Sequence, residues 1–253
     1  MSKTIHELTI QRVQELKKTI EPALRACHPL EEAAQTFTNL LFEEFEPSIV
    51  LLRFFATIPF GELPKVYQKH VNSLAKSENV ETFLNDETPV LTLLGTRGGE
   101  EIRNIRQYFG IPLTSTDFVR TIPMVSQFLK DLGFDLDWDK TKRSTIRESD
   151  IETYSPSFLS GVFYVSDAQH AVNANGEKIL NVVDRFQTYN LESTRDIETI
   201  FGIGGAYING PFIAVILFSR ETLEKSDVER LMPLASYFKT ATLPLILKNA
   251  IFA

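Results

Sequence analysis

Arg97 is the residue most suited to holding a ligand. It lies in Gly95-Thr96-Arg97-Gly98-Gly99, directly after the apolar run Pro89 to Leu94. Glycines open backbone shapes closed to other residues. A guanidinium presents a planar fork to a carboxylate or phosphate. Arg103 and Arg106 add positive charge nearby. Two roles stand open for Arg97: holding an anionic ligand or acidic partner segment, or pairing with an internal carboxylate. Gly202-Ile203-Gly204-Gly205 resembles a phosphate loop in composition, but such a loop leads into a helix N-terminus. Here a strand-like run follows, so the glycines read as a bulge or a close backbone contact.

Other chemistries fail on spacing. The four histidines, His6, His28, His70 and His170, form no helical metal pair, and Cys27 is the single cysteine. No zinc site is expected. Asp135, Asp137 and Asp139 start like a calcium loop, but Lys140 and Arg147 stand near the places of its glycine and its bidentate glutamate. No G-x-S-x-G elbow occurs. His170, in the loop after Asp167, is the one histidine worth testing.

These residues need elements to position them. Val13, Leu16, Ile20, Leu24 and Cys27 recur at helical spacing, predicting a helix over about Thr4 to Ala26. Pro29 interrupts it. A second helix is expected from Leu30 to Phe45, then a strand from Ile49 to Ile58 in which Arg53 is the one charged residue. Residues 60–88 read as helical pieces. Pro89 to Leu94 is a strand ending at Gly95. Thr116 or Asp117 caps a helix with a stripe from Phe118 to Leu132. Residues 135–157 form a surface loop, Val162 to Val165 a strand, Asp167 to Gly176 a loop, and Ile179 to Tyr189 a helix. Two apolar runs flank Asn209-Gly210, which predicts a hairpin with a two-residue turn. The second run, Phe212 to Phe218, is apolar throughout, as in a strand covered on both faces. A helix from Leu223 to Leu247 follows, with capping-box spacing at Ser226 and Glu229; Pro233 and Pro244 are expected to kink or end it.

The tally predicts an α+β fold: a central antiparallel sheet of about five to six strands with helices on its faces. The 253 residues are 43% hydrophobic and 23% charged, enough to bury a sizeable core. A formal net charge of −7 argues against a nucleic-acid surface. No apolar run reaches the length of a membrane span. With one cysteine and no signal-like N-terminus, the expected location is cytoplasmic.

Several blocks resemble the GAF family of sensory domains. Gly161 to Ala168 looks like that family's mid-domain strand, which ends in an aspartate. Ile197 to Ser219, with the helix after it, looks like its closing hairpin and C-terminal helix. Leu30 to Phe55 is similar to its opening helix and first strand. Leu94 to Gly98, Ile111-Pro112-Leu113, Ile122-Pro123-Met124 and Leu132-Gly133 resemble GAF-like input regions of bacterial signalling proteins. The resemblance implies a GAF/PAS-like domain over 29–249, with an insertion at about 97–157, preceded by an N-terminal helix over 1–28. It places Tyr164, Phe186, Tyr189 and Tyr207 around the family's cavity. The family's cyclic-nucleotide signature is absent. Three reactive cysteines, as in its free-methionine-sulfoxide-reductase branch, cannot occur here. Cys27-His28 lies in the wrong place for a bilin site. No metal, haem or bilin signature is present, and the cofactor is left unknown.

The resulting expectation is a regulatory module that senses a small molecule. Arg97 fixes an anionic end, Tyr164, Tyr189 and Tyr207 form walls, Asp167 orients the loop beside His170, and Arg185 adds a polar contact. Terminal helices often pair across a two-fold axis in the family, which implies a homodimer, with packing of each helix on the sheet within the monomer as the alternative; the resemblance also implies a histidine-kinase or cyclase partner. The rivals are an enzyme on the same scaffold and a ligand-free interaction scaffold.

Overall fold

The computed structural model describes residues 3–98, 110–115, 118–119, 123–131, 161–172, 176, 178, 180, 196–208 and 210–253. Helix α1 spans Ile10–Arg25, starting later than its periodicity predicts. Thr9 is the reason: its hydroxyl accepts from the Arg12 N–H at 3.1 Å and caps the first turn. The residues before it are satisfied elsewhere. The Lys3 N–H donates to the Glu44 carbonyl at 2.9 Å, and the Ile5 N–H to Ser48 Oγ at 2.9 Å. Burial of Ile5 and Leu8 holds this segment against the core.

Helix α2 covers Leu30–Glu44 and β1 Ile49–Pro59, close to their expected limits. Helix α3, Lys65–Ser77, lies between two single 3-10 turns. Strand β2 runs Pro89–Gly98. The stretch from Gly95 to Gly98, expected as a loop, is therefore strand, with Arg97 opposite Leu52. Short β3, Gly110–Pro112, and helix α4, Pro123–Asp131, follow. Strands β4, Gly161–Val165, β5, Thr199–Ala206, and β6, Phe212–Ser219, complete the sheet. The loop at 135–157 and almost all of the helix expected over 179–189 lie outside the described residues.

All pairings are antiparallel, in the order β3-β2-β1-β6-β5-β4. Strand β6 sits between β1 and β5 and is buried at every position, as its unbroken apolar run requires. The hairpin before it is longer than Asn209-Gly210 predicts. After the Ala206–Phe212 pair, the Tyr207 N–H still donates to the Pro211 carbonyl at 3.0 Å, and the Gly210 N–H returns to the Tyr207 carbonyl at 3.3 Å. Pro211 has no N–H to give back, so the ladder ends there.

The C-terminal helix is two helices. Lys225–Glu229 forms α5, and Met232–Leu247 forms α6. The cap is also shifted: the Glu224 N–H donates to Asp227 Oδ2 at 3.1 Å, in place of the Ser226–Glu229 box. Pro233 falls in the first turn of α6, where a missing N–H costs nothing. Pro244 lies inside the helix on its exposed side.

Helices α1, α2 and α6 cover one face of the sheet. Val13, Leu16, Ile20 and Leu24 share one core with Leu231, Leu234, Phe238 and Leu245. Both stripes that implied a homodimer are therefore buried within the monomer. At the middle of this layer the rings of Phe37, Phe54 and Phe238 stand 4.5 to 6.1 Å apart. The opposite face carries a second core, including Phe55, Leu91, Leu93, Phe163 and Phe218, against which α4 sets Phe128 and Leu129. Phe128 meets Phe163 edge to face at 5.8 Å.

Candidate functional site

Side chains alternate across a strand, so a residue's parity decides which layer it faces. In β1, Leu52, Phe54, Ala56 and Ile58 enter the helix layer. Arg53, between two of them, faces the other way, toward the side of Phe55 and Leu93. It is 2% exposed on the strand next to the sheet's centre, paired with Thr96 of β2 and Ile216 of β6. Arginine is rarely so buried without an anion or a hydrogen-bond network to hold it. The sequence marks Arg53 as the single charge in an apolar strand, but not as a site residue.

Arg97 has the opposite parity. It stands across from Leu52 and lays its guanidinium over the Phe42 ring of α2, 5.4 Å from the centroid. The expected anchor is thus engaged in a cation–π contact on the helix side. Its buried Nε has no hydrogen-bond partner among the described residues.

The tyrosines also turn to the helix side. Tyr164 packs against the helix-layer core and donates its hydroxyl to the Leu223 carbonyl at 2.5 Å. Partial burial raises its phenol above the ordinary range, and the Glu224 and Asp227 charges add to this. Tyr207 is buried, with its hydroxyl 2.6 Å from Thr242 Oγ1 on α6. Burial raises its phenol far more, against a small opposing effect of the Thr242 bond. Asp167 and His170 form a local exposed pair after β4. The ring Nδ1 lies 3.0 Å from both carboxylate oxygens, and the His170 N–H donates to Oδ1 at 3.1 Å. The hydrogen bond from His170 holds the Asp167 carboxyl below the usual range. Arg185 and Tyr189 lie outside the described residues.

The structure therefore does not gather the described candidates into one site. Arg97, Tyr164 and Tyr207 belong to the helix side at separate places, while Asp167 and His170 sit in the loop after β4. Elsewhere, burial lowers the Lys239 ammonium, which donates to the Ala206 carbonyl at 3.2 Å. Among the described residues no group of three His, Cys, Asp or Glu side chains is placed to hold a metal. No helix among them is long and apolar enough to cross a membrane. Cys27 is buried, with Sγ 3.3 Å from the Ala23 carbonyl.

The glycine run in β5 is a close contact between backbones. A Cβ on Gly204 would stand 2.2 Å from the Ile213 carbonyl oxygen of β6. It serves the sheet, as its position between two strands requires.

A groove of about 460 Å³ lies between the start of α2, Tyr67 of α3 and the outer edge of β2 at Leu93 to Thr96.

No protein-family model and no curated protein matches the chain. Solved structures do. The chain is similar to the free methionine-R-sulfoxide reductase from Neisseria meningitidis, solved with its substrate, at 8% identity and a TM-score of 0.50, over 98% of each chain. It is also similar to the GAF domain of a phosphoenolpyruvate-protein phosphotransferase from Coxiella burnetii, at 10% identity and TM-score 0.48, over 96% of this chain and 99% of that one. A bacteriophytochrome from R. palustris aligns at 8% identity and TM-score 0.49, over 96% of this chain and 39% of that one. At these identities the likeness is one of fold alone. The architecture is the α+β fold expected from the sequence, a six-stranded antiparallel sheet with helices on its faces.

Proposed function

We propose that this chain is a regulatory domain that senses an anionic small molecule on the sheet face opposite the helix layer, with Arg53 as the cationic anchor. Arg53 itself carries this reading: a guanidinium on a fully covered strand, 2% exposed and turned toward the second core rather than the helix layer. A buried fork of N–H donors recognises a carboxylate or phosphate strongly, because little water competes. Ligand binding acts by favouring one of two conformational populations. Fold does not carry activity. The reductase that shares this scaffold lends it no chemistry, and the one cysteine here is buried on the helix side.

A thermal-shift series with organic acids, amino acids and nucleotides tests the reading. At least one anionic class raises the melting temperature of the wild type, as binding to the native state alone must. Arg53→Met, checked for folding by circular dichroism, loses that shift, whereas Arg53→Lys keeps part of it. A shift that survives in Arg53→Met, or no shift with any anion, overturns the proposal.

A further inference from the structure

The outward face of α3 is a second feature, independent of Arg53. The chain carries a formal net charge of −7, yet the 13 residues of this helix include three lysines and no carboxylate. Lys65, Lys69 and Lys76 recur at helical spacing, so they form one stripe about 16 Å long. All three are exposed. Val71 and Ala75 are buried on the other side of the helix. The Gln68 side chain donates to the Phe60 carbonyl at 3.1 Å and to the Leu63 carbonyl at 3.0 Å. The stripe therefore stands on a helix fixed to the body of the fold.

Among the described residues none of the three lysines forms a salt bridge, whereas Arg12 and Lys17 of α1 pair with Glu15, Glu44 and Glu21. Lys65 donates to the neutral Gln68 Oε1 at 3.1 Å. The placement of the charges also works against the helix. Lys65 and Lys69 are like charges one turn apart. Lys65 lies in a first turn without an acidic residue, at the positive end of the helix dipole. Neither placement stabilises the fold, as expected of a charged face kept for a partner. Val66, 58% exposed and adjacent to Lys65, adds an apolar contact.

Glu62 and Glu78 stand just before and just after the helix. A flat anionic surface would meet both carboxylates and the rest of an acidic molecule, whereas a single segment can lie along the lysines between them. We infer that an acidic segment of a partner protein, rich in glutamate or aspartate, docks along α3 on Lys65, Lys69 and Lys76. The lysines steer it and select its sign of charge, and Val66 supplies the apolar contact.

Fluorescence polarisation tests this on the full chain, with a labelled glutamate–alanine peptide and its lysine–alanine counterpart. Vesicles of phosphatidylserine and phosphatidylcholine and a single-stranded oligonucleotide serve as competitors. The expected result is saturable binding of the acidic peptide alone, weakened by salt and retained against both competitors at matched charge. Lys65→Gln combined with Lys69→Gln and Lys76→Gln weakens it roughly tenfold or more, with circular dichroism and melting temperature unchanged. Lys18→Gln combined with Lys225→Gln and Lys248→Gln removes the same charge from exposed positions elsewhere and leaves affinity within about twofold. Lys69→Glu alone reverses the middle charge and also weakens binding about tenfold, which decides the matter should the triple variant unfold. Four results overturn the inference: no saturable binding, equal binding of the basic peptide, equal losses in the two triple variants, or displacement by vesicles or oligonucleotide. The last assigns the face to a membrane or a nucleic acid.

Discussion

Substituting Gly95 by alanine probes the contact on which the groove and the helix layer both depend. An added Cβ would stand 2.8 Å from the Ala34 carbonyl oxygen, 2.9 Å from its carbon and 3.0 Å from the Gln35 nitrogen. All three are backbone atoms of α2, so no side-chain rotation relieves the clash. Ordinary contact begins near 3.4 Å, which requires α2 and β2 to separate by about 0.6 Å. Ala33, Ala34, Phe37 and Leu41 resist, since all are buried in the same core. Overpacking of this kind costs about 1–3 kcal/mol. Separation also stretches the two Gln35–Thr96 bonds, worth about 1 kcal/mol each. The expected loss is about 2–5 kcal/mol, or roughly 5–15 °C in melting temperature for a chain of this size. Urea unfolding followed by circular dichroism gives the difference directly. Gln35→Ala serves as the control: it removes the two bonds without the clash and costs about 1–2 kcal/mol. A Gly95→Ala protein within about 0.5 kcal/mol of wild type, the range of a neutral surface change, would refute the close approach of α2 to β2.

Two further outcomes follow from the shifted groups. Tyr207→Phe removes the hydroxyl bond to Thr242 and costs about 1 kcal/mol at neutral pH. The folded state holds this phenol neutral while the unfolded chain ionises near pH 10, so its stabilising contribution is whole below that value and is lost as pH rises further. The gap between wild type and Tyr207→Phe in urea therefore narrows in alkali; parallel curves would contradict the burial of the hydroxyl. For the Asp167–His170 pair, an NMR titration should find the Asp167 carboxyl below the usual range and returned to it by His170→Ala. No change on substitution would show that the pair does not form in solution.

The sequence was most legible where one periodicity acted alone. The unbroken apolar run of β6 required cover on both faces and so a place inside the sheet, where it is found. The apolar stripe of α1 was equally clear, but its partner was not. Leu231, Leu234, Phe238 and Leu245 look from sequence like a surface for a second chain, yet they close on α1 within the monomer. Periodicity says that a stripe must be buried and is silent on what buries it. Capping was displaced by a few residues at both ends of the chain: Thr9 caps α1 through the Arg12 N–H, and Asp227 bonds the Glu224 N–H while Arg230 pairs with its carboxylate.

The candidate site was the least legible part. Arg53 and Arg97 each interrupt a strand with a charge; the sequence singles out Arg97 by its flanking glycines, and the structure sets it over the Phe42 ring. Pairing Arg53 with Thr96 and Arg97 with Leu52 puts them on opposite faces. Gly95 was read as conformational freedom at a loop, whereas it clears room for a helix backbone. The amino-acid order by itself determined the middle of most described strands and helices, because hydrophobic spacing and local sterics act within a few residues. Only the tertiary structure decided which face each charged side chain occupies, because that depends on where α1, α2 and α6 come to rest against the sheet, through contacts between residues far apart in the chain.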